Sequence, residues 1–371
     1  MLGRHILLGL ALMLSGCQQT GISPPVSPVS PRASATPTPP LRLSMPKAPA
    51  RLLGKTDLSK LKGDQLTGLM QELYQRADYP AAAKAGQWAA LKGGEGRYDL
   101  ACCLALSGQL EAAFYYLQEA ALLEGVDPVH AGQDPDLAML RSDSRWNTMA
   151  TYLQEMNRHW SAQSILKTSL VLPEKYKVGR PIGVVIGLHG LGGNQNFVDS
   201  NCQELADRLN LAFVGVSGSV PLGPKAFRWS EQPARDQQQL QKALDSLHDK
   251  LTVAPGQTIL FGFSQGAEMA FEIAAGHPDL YRGALCFSPG LQVDSRLPDL
   301  LAKPSAQRFL FTAGAGEHPD TLGYARRGAQ WCEKSGAKVR LKIYPGMNTH
   351  SFPPDFAAQF GPWLSWVGGN S

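Results

Sequence analysis

The sequence predicts a doubly wound, mostly parallel α/β sheet preceded by a small all-α, helical-repeat-like region, and three patterns predict it. After Ser164 short apolar runs alternate with helical stretches, the rhythm of parallel strands joined by crossover helices. Two of those runs, Val184-Val185-Ile186 and Ile259-Leu260-Phe261, are continuously apolar, as strands buried on both faces must be. Between about Leu58 and Trp160 apolar residues recur at helical spacing instead.

Taken in chain order, Arg4 and His5 precede an apolar run, Ile6 to Leu14, that ends in Leu14-Ser15-Gly16-Cys17. A membrane-spanning helix needs about 20 apolar residues, so this shorter run reads as a signal peptide over residues 1–16. The Leu-Ser-Gly-Cys segment resembles the lipobox of bacterial lipoproteins. That resemblance implies lipidation of Cys17 with acyl chains such as palmitate, and a place in the bacterial cell envelope facing the periplasm or the exterior. Residues 17–55 follow as the lipidated cysteine and a tether. Thr20 to Pro49 is dense in Pro, Ser, Thr and Ala and offers too little apolar surface to offset the entropy of ordering it.

Residues 56–160 form the helical region. Leu66, Leu69, Met70 and Leu73 repeat at i, i+3, i+4, i+7. Further on, Leu100, Ala101 and Leu104, a turn at Gly108, then Ala113, Leu117 and Ala120 resemble one tetratricopeptide unit. Tyr79, Ala82 and Ala89 read as the second half of a preceding, weaker repeat. Three or more repeats are normally needed for a stable solenoid, so this region is expected to lean on the domain that follows. Whether it also binds a protein partner stays open.

Residues 165–371 carry the sheet, with strands expected at Ile182 to Leu188, Leu211 to Val216, Thr258 to Phe263, Gly283 to Phe287, Arg308 to Ala313 and Val339 to Tyr344. A chain of 371 residues exceeds the roughly 100–200 of one domain, in keeping with two folded parts. With 43% hydrophobic and 18% charged residues and a net charge of +4, the composition is that of an ordinary globular protein. No run of Lys and Arg interleaved with aromatics offers a nucleic-acid surface. Beyond Cys17, the cysteines Cys102, Cys103, Cys202, Cys286 and Cys332 are odd in number and irregular in spacing. They are expected as buried free thiols, with no metal and no cofactor implied.

Chemistry concentrates after three strands. Gly262-Phe263-Ser264-Gln265-Gly266 stands between a buried strand and a helix starting near Gln265, where a sharp turn lifts the serine hydroxyl above the sheet. The flanking glycines leave room that side chains would fill, and the helix N-terminus favours developing negative charge. His189-Gly190-Leu191-Gly192-Gly193 ends the strand at Leu188, and its amides suit an oxyanion. The expected donor pair is the amide of Leu191 with that of Gln265, while His189 holds the loop. The base is His350, in a loop after the last strand. The acid should follow the strand Arg308 to Ala313, where both Glu317 and Asp320 are available. Asp320 alternatively caps the next helix, and Asp294 is the next position to consider. In the loop from Gly218 to Asp236, Phe227 and Trp229 are candidates, with Gly192, to contact substrate, or else they pack the loop onto the sheet.

From about Ser169 onward the chain resembles the α/β-hydrolase superfamily, and most its phospholipase/carboxylesterase branch, which includes acyl-protein thioesterases. The matching pieces are LHGLGG at Leu188 to Gly193, GFSQGA at Gly262 to Ala267, FSPGL at Phe287 to Leu291 and THSFP at Thr349 to Pro353. The branch usually has an aspartate where this chain has Glu317. The resemblance implies a serine esterase acting on a small-molecule or lipid ester or thioester. An exported serine peptidase of the same fold, or a catalytically dead hydrolase serving a helical interaction protein, are the alternatives.

Overall fold

The computed structural model describes residues 35–230, 232–290 and 306–369, and Thr36–Ser371 forms one compact unit. The expected signal peptide, Cys17 and Asp294 lie outside the described residues. Among the described residues no helix is long and apolar enough to cross a membrane.

The part of the Pro-rich stretch from Thr36 does not run free. Leu41 exchanges two hydrogen bonds with the half of Gln118 that faces it, its N–H donating to Oε1 at 3.1 Å and its carbonyl accepting from Nε2 at 3.3 Å. Leu41 and Leu43 pack on the helical core. Two leucines thus tie down a segment whose prolines alone predict a tether as far as residue 55. A small antiparallel pair, β1 (Leu52–Leu53) and β2 (Thr56–Asp57), follows.

The helical region comprises α1 (Gly63–Gln75), α2 (Tyr79–Leu91), α3 (Arg97–Leu106), α4 (Leu110–Leu123), α5 (Pro128–Gln133), α6 (Ala138–Arg141) and α7 (Trp146–Ser161). Helices α1 with α2 and α3 with α4 pack as hairpins. The turn between α3 and α4 is made at Gly108, whose φ of +72° suits glycine. Small residues let the helices close up: a Cβ on Gly86 would lie 2.9 Å from Leu100 Cδ1.

The sheet has seven strands in the order β11-β10-β9-β8-β4-β5-β3. They are β3 (Thr168–Val171), β4 (Ile182–Leu188), β5 (Leu211–Val216), β8 (Val253–Phe263), β9 (Tyr281–Phe287), β10 (Arg308–Gly314) and β11 (Lys338–Tyr344). A separate hairpin pairs β6 (Val220–Pro221) with β7 (Phe227–Arg228). All neighbours in the large sheet are parallel except β3 with β5. The edge strand β3 was not expected from the sequence; its four residues give neither a long apolar run nor a clean alternation. Helices α9 (Pro233–Asp245), α10 (Gln265–Gly276) and α11 (Pro319–Ser335) pack within one apolar layer, and α8 (Gln203–Leu209) and α12 (Phe356–Gly368) within the other. From β4 the chain moves to β5 on one side; β8 lies on the other side and is followed outward by β9, β10 and β11. Loops leaving β4 and β8 therefore diverge, opening a crevice at the carboxyl ends of these two adjacent strands.

Candidate active site

Ser264 stands in that crevice, between the end of β8 and the first residue of α10. Its backbone is strained, at φ +55° and ψ −125°, a region that a side-chain-bearing residue occupies only when its surroundings hold it there. They do. Its N–H donates to Phe287 O at 3.1 Å, and its neighbours leave no slack. A Cβ on Gly262 would sit 2.2 Å from Gly266 O, and one on Gly266 would sit 2.1 Å from Leu188 O. Both glycines are therefore required by contact, as the turn motif predicts.

The loop after β4 wraps against this turn. His189 is buried; its Nδ1 lies 2.7 Å from Gly190 O and its Nε2 accepts from Gly218 N at 2.9 Å, which fixes the proton on Nδ1. Burial lowers its pKa to about 4, so the imidazole is neutral and structural. Gly192, at φ +78°, and Leu191 line the cleft above Ser264. Gln265 is held by its side chain, whose Oε1 accepts from Trp229 N at 3.0 Å.

Phe227 and Trp229 are both fully buried and do not line the cleft. Trp229 donates Nε1–H to His189 O at 2.9 Å and packs its ring 5.3 Å from the imidazole. Phe227 exchanges backbone hydrogen bonds with Gly192 and Gly193. The pair braces the glycine loop because an indole N–H buried beside a strand end finds a carbonyl there. Asp236, also buried, accepts from the Ser219 hydroxyl and from Ser230 N at 3.0 Å and ties together the two ends of the loop that carries Phe227 and Trp229.

His350 follows β11, lines the cleft with Ser264 and packs on the Phe263 ring at 4.9 Å. Its Nδ1 lies 3.4 Å from Glu317 Oε2. Glu317 is buried after β10, and its Oε1 accepts from Gly314 N at 3.1 Å and from the Ser288 hydroxyl at 2.8 Å. Asp320 is turned elsewhere: it lies in the first turn of α11, with its N–H donating to His318 Nδ1 at 3.3 Å. His318, not Asp320, caps that helix. Ser288 was missed by sequence reasoning; it sits at φ +44° after β9, inside the FSPGL segment, and that strained strand-end serine is the signal that marks it.

The larger surprise is the opposite wall. The cleft, of about 640 Å³, is bounded by Ser264, His350 and the glycine loop on one side and by the helical region on the other. Gln71, Tyr98, Asp99, Glu124, Asp127 and His130 line that second side. His130 of α5 thus shares the cleft with Ser264. The two regions meet backbone to backbone: a Cβ on Gly223 would lie 2.4 Å from Gly125 Cα, and Lys225 N donates to Glu124 O at 3.0 Å.

Among the described residues one group of metal-ligating types comes together, Cys102, Asp134 and Asp136, with atoms within 4.8 Å. Protein donors already occupy its oxygens: Tyr98 donates to Asp134 at 2.7 Å and Tyr74 to Asp136. Burial pushes the Cys102 thiol well above its ordinary pKa, which keeps it protonated. The five cysteines of the described residues are all free thiols.

Residues 161–338 match the family model described as a putative esterase, a span that contains Ser264 and Glu317 and ends before His350. A putative esterase, NocK, from Nocardia uniformis subsp. tsuyamanensis is 32% identical over 117 residues, 30% of this chain and 32% of that protein. The chain thus spans about a third of the length of the curated relative it matches. A Bacillus cereus carboxylesterase is 18% identical with a TM-score of 0.42, covering 57% of this chain and 99% of its own. A phospholipase/carboxylesterase from Dyadobacter fermentans is 19% identical with a TM-score of 0.40, covering 54% of this chain and 96% of its own. The sheet region of this chain, with a strained serine between its central strand and the next helix, is therefore similar over residues 161–338 to a family of esterases.

Proposed function

We propose that the chain is a serine hydrolase that cleaves carboxylic esters or thioesters through an acyl-Ser264 intermediate. The observation that carries this reading is the strained Ser264 sharing one cleft with a histidine whose far nitrogen faces a buried, doubly hydrogen-bonded carboxylate. In the first half-reaction Ser264 Oγ attacks the carbonyl carbon while His350 Nε2 takes its proton. Glu317 fixes the His350 tautomer and stabilises the imidazolium. Developing charge on the carbonyl oxygen meets the amides of Leu191 and Gln265, the second at the N-terminus of α10. The carbon–oxygen or carbon–sulfur bond then breaks, and the leaving group takes the proton from His350. Water, deprotonated by the same imidazole, releases the acid and restores Ser264. Gly192 lies beside the reacting carbonyl in this reading.

Labelling of the full chain by a fluorophosphonate tests it, since the probe needs an activated serine and no knowledge of the substrate. Wild type should label and Ser264→Ala should not; an unlabelled wild type would leave the catalytically dead scaffold as the better account. Comparing ester with peptide substrates separates esterase from peptidase. Cys17 as lipid anchor of an exported protein belongs to the same proposal, supported by the Leu-Ser-Gly-Cys sequence. Each buried CH₂ contributes about 0.8 kcal/mol, so several acyl chains on one residue hold firmly. Cys17→Ser should move the protein from the membrane to the soluble fraction of a bacterial host that lipidates; a wild type that is already soluble there sinks the anchor.

A further inference from the structure

We infer that Ser288 is a positioning residue, whose one hydroxyl holds Glu317 and the loop of His350 in register with each other; this rests on the hydrolase reading above. Ser288 stands where the segments that carry the three reacting groups meet. The peptide that joins it to Phe287 is used at both ends: the carbonyl accepts from Ser264 N at 3.1 Å, and the N–H donates to Thr312 O of β10 at 2.8 Å. The hydroxyl faces two acceptors, Glu317 Oε1 at 2.8 Å and the carbonyl oxygen of Ser351, the residue after His350, at 2.9 Å. Ser288 and the peptide before it thus bond to the nucleophile, to the strand that leads to the acid, to the acid itself and to the loop of the base.

The backbone alone does not call for serine here. At φ +44° glycine would sit without strain, whereas a residue with a Cβ must be held by its surroundings. Had β9 run on extended, residue 288 would share the apolar sheet face of Cys286. The turn instead brings the hydroxyl, fully buried, to the ends of β10 and β11, where Glu317 and Ser351 lie. The base needs such a brace. His350 Nδ1 stands 3.4 Å from Glu317 Oε2, longer than the roughly 2.7–2.9 Å of a charge-assisted bond. The His350 side chain is 32% exposed and that of Glu317 only 1%, so the carboxylate is the fixed member of the pair and the imidazole the loose one. Gly314 N and Ser288 engage Oε1, which leaves Oε2 to the imidazole. A hydroxyl carries one hydrogen, and both oxygens facing Ser288 are acceptors while Glu317 is ionised. Given to Glu317 that hydrogen stabilises the carboxylate, and given to Ser351 O it holds the loop of the base. Glu317 keeps the amide of Gly314 in either case, so the buried charge is never left without a donor.

The test removes the hydroxyl and asks whether the effect passes through Glu317. Ser288→Ala keeps the Cβ and both backbone bonds. Its kcat and its rate of fluorophosphonate labelling should fall by on the order of 30-fold with KM within about twofold, because the groups displaced react with the substrate rather than bind it. Ser288→Gly, free of the strain at this φ, should be as slow, and Ser288→Cys, whose thiol is a weak donor, should recover part of the rate. If Ser288→Ala does not fold, the glycine and cysteine variants carry the same comparison. In Glu317→Gln, further loss of the hydroxyl should change the labelling rate by less than about twofold, since the group it positions no longer orients the imidazole; a merely structural serine would cost the same factor in both backgrounds. Variants that keep the wild-type rate, or an equal factor in both backgrounds, overturn the inference and leave the hydrolase reading standing. A crystal structure of the variant decides independently of turnover: His350 Nδ1 and Glu317 should be parted beyond hydrogen-bonding reach with the Ser264 turn unmoved. An unchanged pair overturns the inference even where the wild type neither labels nor turns over an ester, which is the outcome that overturns the hydrolase reading itself.

Discussion

The two halves of the cleft are built by different rules. On the sheet side every group of the proposed site stands within a few residues of a strand end: Ser264 after β8, Leu191 after β4, Ser288 after β9, Glu317 after β10, His350 after β11. Parallel strands in register deliver those ends to one edge, so local sequence fixes position. On the helical side the lining residues come from α1, α3, α5 and the loops between them. Their place in the cleft depends on how the helical region docks, through Gly125 and Gly223, on a hairpin about a hundred residues away. The difference teaches that the proposed reacting groups are placed by local sequence, whereas the opposite wall is placed by contacts distant in the chain.

The sharpest way to break the comparison is to remove the nucleophile. Ser264→Ala should lower kcat by on the order of 10⁶-fold, because the three groups act as a unit, while circular dichroism and melting stay near wild type. Comparable residual turnover in a clean preparation would mean that the sheet side does not carry the chemistry at all.

Glu317→Gln is next in size. The amide keeps the shape but presents the wrong hydrogen-bonding partner to His350 Nδ1, and kcat should fall by up to about 10⁴-fold. Asp320→Ala should leave turnover within twofold and stability within about 0.5 kcal/mol, since His318 and not Asp320 caps α11. Reversed phenotypes would return Asp320 to the site.

Most of the sheet side was legible in the sequence for these reasons. Short apolar runs alternating with helical stretches located six of its seven strands, the glycine spacing located the turn at Ser264, and order along the chain pointed to His350. The choice between Glu317 and Asp320 was not legible, because both follow the same strand and only the loop's path decides which reaches the imidazole. Phe227 and Trp229 were left open for a related reason. An aromatic pair in a crevice loop has the same sequence whether it faces in or out, and the hydrogen bond from the indole to His189 O that turns Trp229 inward is a tertiary contact. On the helical side the hairpins were legible from periodicity and small residues, but nothing in them says that Asp99 and His130 face a serine.

Acid should act on the two halves with opposite sign. Burial lowers the pKa of His189 from 6.5 to about 4, so the unfolded chain binds the proton more readily than the folded one. The stability this group supports is therefore complete above pH 6.5 and is lost as pH falls toward 4, a change of about 3 kcal/mol at 1.36 kcal/mol per unit. Asp99 is raised from 3.8 to about 6, so its folded form binds the proton more readily; its strain on the helical side is absent below 3.8 and sets in as pH rises through 6. Denaturant melts between pH 7 and 4 should show a net loss on acidification, and Asp99→Asn should make that loss steeper. A shallower loss in the variant would contradict the assigned direction.

A smaller effect on turnover than the loss of Ser264 or Glu317 tests the docking itself. At Gly223 a side chain would meet Glu124 O and Gly125 Cα, both at 2.4 Å, and these are backbone atoms that cannot swing aside. Gly223→Val should therefore push the helical wall off the hairpin, at a cost of about 1–3 kcal/mol for the forced contact. The strand ends that hold Ser264, Glu317 and His350 do not pass through this contact, so fluorophosphonate labelling should persist at nearly the wild-type rate. Turnover of an ester large enough to reach the helical side should fall severalfold, mainly through KM, because the wall that orients it has moved while the reacting groups have not. Proteolysis should also nick the α4 to α5 connection faster in the variant, since Glu124 O would lose the amide of Lys225. If labelling collapses together with turnover, the helical region supports the chemistry as well as the selectivity, and the two halves are one machine rather than two.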